Sequence, residues 1–418
     1  MYSILPRSFT RFVPEAPGPV LALLFEWLNL LIRWTHVIAS IMWIGDSFLF
    51  MWMDSHLVPP SRPREGDVAG ELWMVHSGGF YEVIKRRVLA PGEIPAQLHW
   101  FKWQAYTTWL SGFGLLAVVY WAGGSAFLVD RDVLVMSGPQ AVGASALVLV
   151  LGWLLYDGLW SSPLSRNTRV AAVVSLALLA GAIVGLTHVF SARAAFLMTG
   201  AMLATIMAGN VLRRIIPAQT QMLAATRAGL PADAALGARA KRHSIHNHYL
   251  TLPVVFAMLS NHFPGMYGRP DAALVLILFV AFGMAFKYWM NFRGRSHAGI
   301  LAIGLAALLA LITLTALPSR RSAAGATPAM APVPYATAHA ILERRCMTCH
   351  SRHPSNPSFP EAPAGVMFDD HDRVLALRPR IQVRAVETKT MPLGNLTGIT
   401  EAERDTLAAW IAGGAKGE

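Results

Sequence analysis

The residues best suited to chemistry in this 418-residue chain are Cys346-Met347-Thr348-Cys349-His350. Two thiols one helical turn apart can add to the vinyl groups of a haem, and the imidazole beside them can become an axial iron ligand. The run therefore reads as an attachment site for one covalent haem c. Cys346 and Cys349 are the only cysteines, so no thiol remains for a disulfide or a zinc site once both are thioethers. The competing readings are a redox dithiol and half of a metal knuckle. Met391, in Thr390-Met391-Pro392-Leu393-Gly394, offers a thioether to the opposite face of the iron, and Pro392 keeps that segment from closing into a helix. His371 is the weaker rival, and His353 lies too near His350 to reach that face. The expected metal ligands are thus His350 and Met391. Thioether ligation raises the potential of the iron, which suits a unit that accepts electrons and passes them on.

The elements that must position these groups are short. Ala336 to Arg345 predicts a helix feeding the cysteines, and Thr400 to Ala412 a terminal helix with a Thr400/Glu403 capping box and an apolar face of Leu407, Trp410 and Ile411. Residues 335–418 then form a class I-like cytochrome c domain. Pro318 to Tyr335 is rich in Pro, Ala and Ser and reads as a flexible tether, making 318–334 a linker and 1–317 a separate domain.

That larger domain avoids water. Over the whole chain 54% of residues are hydrophobic and 14% charged, where a soluble protein would carry roughly a quarter charged residues. The net charge of +11 and pI of 10.0 do not indicate a nucleic-acid partner, because Arg and Lys fall between long apolar runs, where they orient a membrane protein in its lipid bilayer. No cleavable signal is evident at the N-terminus, which carries Pro6, Pro14, Pro17 and Pro19. Eight apolar segments approach the roughly 20 residues a bilayer core requires: about 22–50, 104–122, 140–160, 168–189, 193–214, 249–264, 270–290 and 297–317. The expected fold is all-α, a polytopic membrane helical bundle with the cytochrome c domain at its C-terminus. Basic residues crowd the odd-numbered connections, including Lys85, Arg86, Arg87, Arg213, Arg214, Arg239, Lys241 and Arg242. Those connections should face the cytoplasm, leaving both termini and the cytochrome c domain in the periplasm of a bacterial inner membrane.

Polar groups inside apolar segments narrow the search. In the first segment Asn29, Arg33, His36, Ser40, Trp43 and Ser47 form one stripe that should face the bundle interior, while Asp46 lies off it and needs a partner. His36 could ligate a second haem, a haem b shared with His188 or His262, could contact a purine, or could merely hydrogen-bond a neighbouring helix. Around the sixth segment, Asn247, Thr251, Met258 and His262 share a helical face, and Asn247 and His262 would stand roughly 22 Å apart along it. One small substrate cannot touch both. His243, His246 and His248 fall at the inner end, where capping and headgroup contact compete with a catalytic role. The first connection interleaves aromatics and donors through His76-Ser-Gly78-Gly79-Phe80-Tyr81 and His99-Trp100-Phe101-Lys102-Trp103, either an interfacial belt or a stacking surface for a flat heterocycle.

Taken together, Trp34-x-His36 with Trp43-Ile-Gly45, His76-x-Gly78-Gly79-Phe80-Tyr81, Leu98-His99-Trp100-Phe101-Lys102-Trp103, His246-Asn247-x-Tyr249-x-Thr251-x-Pro253 and Ser260-Asn261-His262 resemble the bacterial membrane-bound, cytochrome c-type urate oxidases. The likeness covers nearly the whole chain. It implies oxidation of urate to 5-hydroxyisourate, with electrons leaving through cytochrome c to a soluble or membrane cytochrome or terminal oxidase and no hydrogen peroxide formed. On that reading the urate monoanion would be oriented by Asn247, Thr251 and Tyr249 with Lys102 or Arg242 as cation, and His246 or His99 would take a proton. A substrate at the inner end would be separated from the outward haem by most of a core about 30 Å thick, which would require the second haem. Two other classes remain: a quinol-to-cytochrome c electron-transfer module, and a transport or haem-handling protein with a cytochrome domain.

Overall fold

A computed structural model describes residues 19–122, 126–291, 298–316, 333–356, 359 and 361–415. The chain opens with α1 (Pro19–His56), apolar on almost every side, and then turns into an antiparallel hairpin of β1 (Val68–His76) and β2 (Gly79–Arg86). The bundle continues with α2 (Trp103–Leu115), α3 (Gly138–Ser161), α4 (Thr168–Thr187), α5 (Ala192–Gly209), α6 (Ile216–Arg227), α7 (Ala234–Leu259), the single turn α8 (Pro264–Tyr267), α9 (Ala272–Asn291) and α10 (Ala298–Ala316). Among the described residues, six helical stretches are long and apolar enough to cross a bilayer: Leu23–His56, Gly138–Ser161, Thr168–Thr187, Ala192–Arg227, Ala272–Asn291 and Ala298–Ala316. Of the other two expected segments, one lies on α2 and its π-helical continuation Leu116–Trp121. The other occupies the second half of α7 and the turn Ser260–His262, on a helix whose first half is strongly basic.

The hairpin departs from the all-helical expectation. Its reversal is Ser77-Gly78, both residues at positive φ (51° and 75°), the two-residue geometry that matches strand twist. Glu71, 2% exposed, accepts from the Ser61 amide at 2.8 Å and pairs with Arg64, which ties the strand to the segment leaving α1.

Helix α5 is the axis of the bundle, with Ala194, Phe196, Met198, Met202, Leu203 and Ile206 buried between α3, α4 and α7. Small residues permit the close approach. Met202 packs over Gly152, Ala257 over Gly200 and Trp153 over Gly209. Pro217 follows α5 without an amide proton, and the chain accommodates it by widening into a π-turn at Asn210–Ile215 before α6.

The α1 stripe divides. Its inner part faces protein: His36 packs against α2, Trp43 against the core and Ser47 against α7. Its start does not. Arg33 is exposed and donates to Asn29 one turn back at 3.0 Å, so the two polar groups satisfy each other.

Residues from Val333 onward form a second unit. The helices Tyr335–Arg345, His371–Ala376 and Glu401–Ala412 close over Ala338, Leu342, Phe368, Val374, Leu407 and Trp410. The Thr400/Glu403 box caps the last helix, with both reciprocal bonds present. This unit touches the bundle at the 126–134 segment between α2 and α3, and at Gly268 after α8.

Candidate functional site

Two groups of side chains stand out, one in each unit. In the C-terminal unit, Cys346 caps the Tyr335–Arg345 helix and the next turn places Cys349 and His350 through amide bonds to the Cys346 carbonyl (3.1 and 2.9 Å). His350 Nδ1 lies 3.0 Å from the Val366 carbonyl oxygen. A carbonyl can only accept, so the proton sits on Nδ1 and the Nε2 lone pair is left for a metal. Both thiols are free and partly buried. Burial pushes the Cys346 thiol up to about 12. Among the described residues no three His, Cys, Asp or Glu side chains gather as a metal site.

Met391 is held by its own backbone. Its amide donates to the Arg384 carbonyl at 2.9 Å, and its carbonyl accepts from Arg404 Nη1 at 2.8 Å. Arg404 is 2% exposed, with Nη2 buried and unpartnered, as is Trp410 Nε1. Orphaned N–H donors beside a bis-thiol motif match the carboxylate side groups of a porphyrin. The donor types fit haem c: Cys346 and Cys349 could accept its vinyl groups, and His350 Nε2 and the Met391 thioether could ligate its iron. His371 instead packs edge-on against Tyr335 (4.3 Å between ring centres), and His353 is exposed.

The second group lies where α3, α5 and α7 meet. Tyr156 Oη stands 2.7 Å from His246 Nδ1, 3.2 Å from His243 Nδ1 and 3.1 Å from Asn210 Nδ2. Asn210, fully buried, also donates to Asn247 Oδ1 at 2.8 Å, and Asn247 donates to the Met207 carbonyl at 2.9 Å. Thr251 braces this from one turn on, donating to the Asn247 carbonyl at 3.0 Å. Trp160 packs on His246 with ring centres 4.2 Å apart, and the Arg242 guanidinium lies over Trp160 at 5.6 Å. Arg214 forms a two-pronged pair with Asp157 beside it. Asn210 Oδ1, Arg239 Nε and Arg242 Nε are buried without hydrogen-bond partners. Such groups cost free energy unless something pairs with them.

The sequence-predicted residues divide accordingly. His246, Asn247 and Thr251 come together with Arg242 nearby. Tyr249 turns away to stack on Tyr288 (6.2 Å). His99 is exposed in the connection before α2, and Lys102 precedes α2 with its ammonium 5.9 Å from the Trp103 ring. No hydrogen bond or ring contact among the described residues joins either to the Tyr156 group. His36 Nδ1 lies 3.0 Å from the Thr108 carbonyl and 3.2 Å from Ser111 Oγ, its ring seated where a side chain on Gly112 would otherwise stand. His188 and His262 are exposed and make no described contact with His36.

Tyr156 and Asn210 escaped the sequence reading. Each is a lone polar residue on an apolar helix, although Tyr156-Asp157 together were a signal. Also unforeseen is a polar group on the other face of α7. His248 lies 3.3 Å from Ser47 Oγ and 2.8 Å from Asn291 Oδ1, while Lys287, 1% exposed, lies over Phe48 with no carboxylate partner among the described residues. Asp46 Oδ2 is likewise buried without a partner.

A family model described as urate oxidase N-terminal matches residues 22–317, ending where the Pro/Ala/Ser-rich stretch begins. Among curated proteins and among solved structures, nothing matches the chain.

Proposed function

Because the chain belongs to the urate oxidase N-terminal family over residues 22–317, we propose that its bundle oxidises urate to 5-hydroxyisourate at the Tyr156 group and hands the electrons to haem c in the C-terminal unit. The observation that carries this reading is the buried set of unpaired donors and acceptors around Tyr156, His246 and Asn210. It has the polarity of a flat anionic heterocycle with hydrogen-bonding edges.

The balance is simple: urate and water give 5-hydroxyisourate, two protons and two electrons. Arg242 supplies positive charge for the urate anion, Trp160 a flat apolar face, and Asn210 Oδ1 an acceptor for a ring N–H. His246 Nε2 takes the proton. Its Nδ1–H donates to Tyr156 Oη and the Tyr156 hydroxyl donates to His243 Nδ1, so the charge can move to His243 without rotation of any side chain. Asn210 and Asn247 hold the tyrosine in place. When bound, haem c would supply a one-electron acceptor of raised potential, held by Cys346, Cys349, His350 and Met391.

Tyr156 lies 18 residues along α3 from Gly138, at the end where the C-terminal unit touches. That separation is about 27 Å. Direct electron transfer over it is too slow for turnover, which favours a second carrier, and His36, with Nδ1 anchored on Thr108, is the residue that would hold it. We take the chain to cross a bacterial inner membrane eight times, with both termini and the haem unit outside, delivering electrons to another cytochrome or a terminal oxidase.

The test is anaerobic mixing of purified protein with urate while the haem α-band is followed. Reduction by urate supports the proposal. Reduction by quinol alone selects a quinol-to-cytochrome c module, and urate or haem flux without reduction selects a transport or haem-handling protein. A dithionite-reduced minus oxidised spectrum with only c-type absorption removes the second carrier at His36.

A further inference from the structure

The turn that follows Met391 is built against the bundle. Gly394 has φ +53°, and a Cβ there would stand 2.3 Å from the Val129 carbonyl oxygen and 3.4 Å from that of Ala126. Both obstacles belong to the bundle, so the glycine serves a backbone-to-backbone approach between units. Polar contacts surround it. The Arg131 amide donates to the Gly394 carbonyl at 3.3 Å, Arg131 Nη1 donates to the Leu396 carbonyl at 3.5 Å, and Asn395 Nδ2 donates to the two Asp132 carboxylate oxygens at 3.1 and 3.0 Å.

Each side of the contact is fixed from behind. Asn395, 8% exposed, accepts from the Ile399 amide at 2.9 Å, so its amide group cannot swing freely. On the bundle side Leu128 is fully buried. Ser191 anchors the segment through its amide to the Leu128 carbonyl and its hydroxyl to the Phe127 carbonyl, both at 2.8 Å. A second touch sets the angle: a Cβ on Gly268 would stand 2.5 Å from Thr388 Cβ, three residues before Met391.

We propose that the 126–134 segment is the port through which electrons leave the bundle, and that Arg131, Asp132 and Gly394 are positioning residues that seat the Met391 side of the haem unit on it. The inference rests on the haem c reading above. Three residues of chain reach about 10 Å at full extension, so Met391 lies within that distance of Gly394, which itself touches the bundle backbone. A haem unit held only by its tether would visit this position as one among many, whereas a docked one occupies it continuously. A bound haem c would accept these electrons one at a time, so the two from one urate would cross in succession, and the two protons would be released from the bundle rather than through the port. The contact is small and polar, with an exposed carboxylate at its centre, so ionic strength should modulate it.

The test uses the full-length protein in native membranes, with a site-specific protease sequence inserted within residues 318–332. After cleavage at low salt, the wild-type haem fragment should stay with the membranes, and the D132K fragment should be released. Uncleaved D132K should show urate-driven haem reduction slowed at least tenfold, with an unchanged α-band, unchanged haem potential and normal reduction by dithionite. D132N, which keeps an acceptor, should fall between. Equal retention in D132K and wild type, or wild-type release at low salt, overturns the proposal, as does wild-type reduction kinetics in D132K. Should urate fail to reduce even the wild-type haem, the functional reading falls, and fragment retention still decides the docking.

Discussion

Changing Tyr156 to Phe removes one oxygen and no volume elsewhere, which makes it a clean probe of the buried polar group. Three bonds disappear: to His246 Nδ1 at 2.7 Å, to His243 Nδ1 at 3.2 Å and to Asn210 Nδ2 at 3.1 Å. Asn210 Nδ2 keeps Asn247 Oδ1 at 2.8 Å, so two imidazole nitrogens are left without partners. At about 1–3 kcal/mol for each unsatisfied buried group, the fold loses about 2–6 kcal/mol. That cost falls on the resting and activated states alike, so the kinetic effect is the lost proton relay, a fall of about 10²- to 10⁴-fold in kcat/KM if the relay operates in the rate-limiting proton removal. The assay is stopped-flow reduction of the α-band by urate without oxygen, on protein whose haem content matches wild type. S145A is the control, since Ser145 is fully buried and its loss orphans Trp121 Nε1 (2.8 Å) elsewhere in the bundle at comparable cost. Y156F within threefold of wild type would refute the relay, and an equal loss in S145A would reduce it to general destabilisation.

Met391→Ala should leave the haem covalently attached while lowering its potential and slowing turnover. Redox titration checks this, and an unchanged potential would exclude Met391 as ligand. Lys287→Met removes a buried ammonium with no carboxylate partner among the described residues and keeps the length of the stem, so thermal stability should rise and turnover stay within twofold. Loss of turnover would move the substrate to the His248–Asn291 face. Burial alone would raise the Glu403 carboxyl, but the Thr400 amide and Arg345 hold it below its ordinary 4.5. A depressed folded value means its contribution is complete above the unfolded value and is lost as pH falls through the folded one. Soret-region circular dichroism melts from about pH 6 to about pH 3 should therefore lose stability at the acid end, and E403Q should flatten that dependence.

The legible parts of this molecule were those whose signals are local. Cys-x-x-Cys-His and the Thr400/Glu403 box can be read without knowing what packs on them, and both sit at helix ends as the spacing required. His246, Asn247 and Thr251 were legible for a similar reason, because helical periodicity alone puts them within a turn of one another. The Ser77-Gly78 hairpin was overlooked because Phe80 and Tyr81, followed by Trp100 and Trp103, imitate an interfacial belt. Its sign was the two-residue turn between alternating flanks. Tyr156 and Asn210 were illegible because their importance is pairwise: they meet across α3 and α5, 54 residues apart, and only tertiary packing makes a group of them. Arg33 shows the converse. Periodicity put it on the same stripe as His36, but whether a stripe is covered depends on the partner helix at each level.

The wide turn at Asn210–Ile215 carries one more residue than an α-helical path needs. The sequence downstream is therefore offset by one position, about 100°, from that of an unbroken helix. That offset lets Asn210 serve the buried tyrosine and Arg214 clasp Asp157, one residue further along α3. Swapping one side chain for another here preserves the offset. Excising the extra residue would restore an ordinary α-helical path with the remainder of the rod still in phase, whereas inserting a further residue would swing that remainder by about 100°, carrying Arg214 off Asp157. This segment is thus guarded by its length more than by its composition, and one-residue insertions are the lesions it can least absorb.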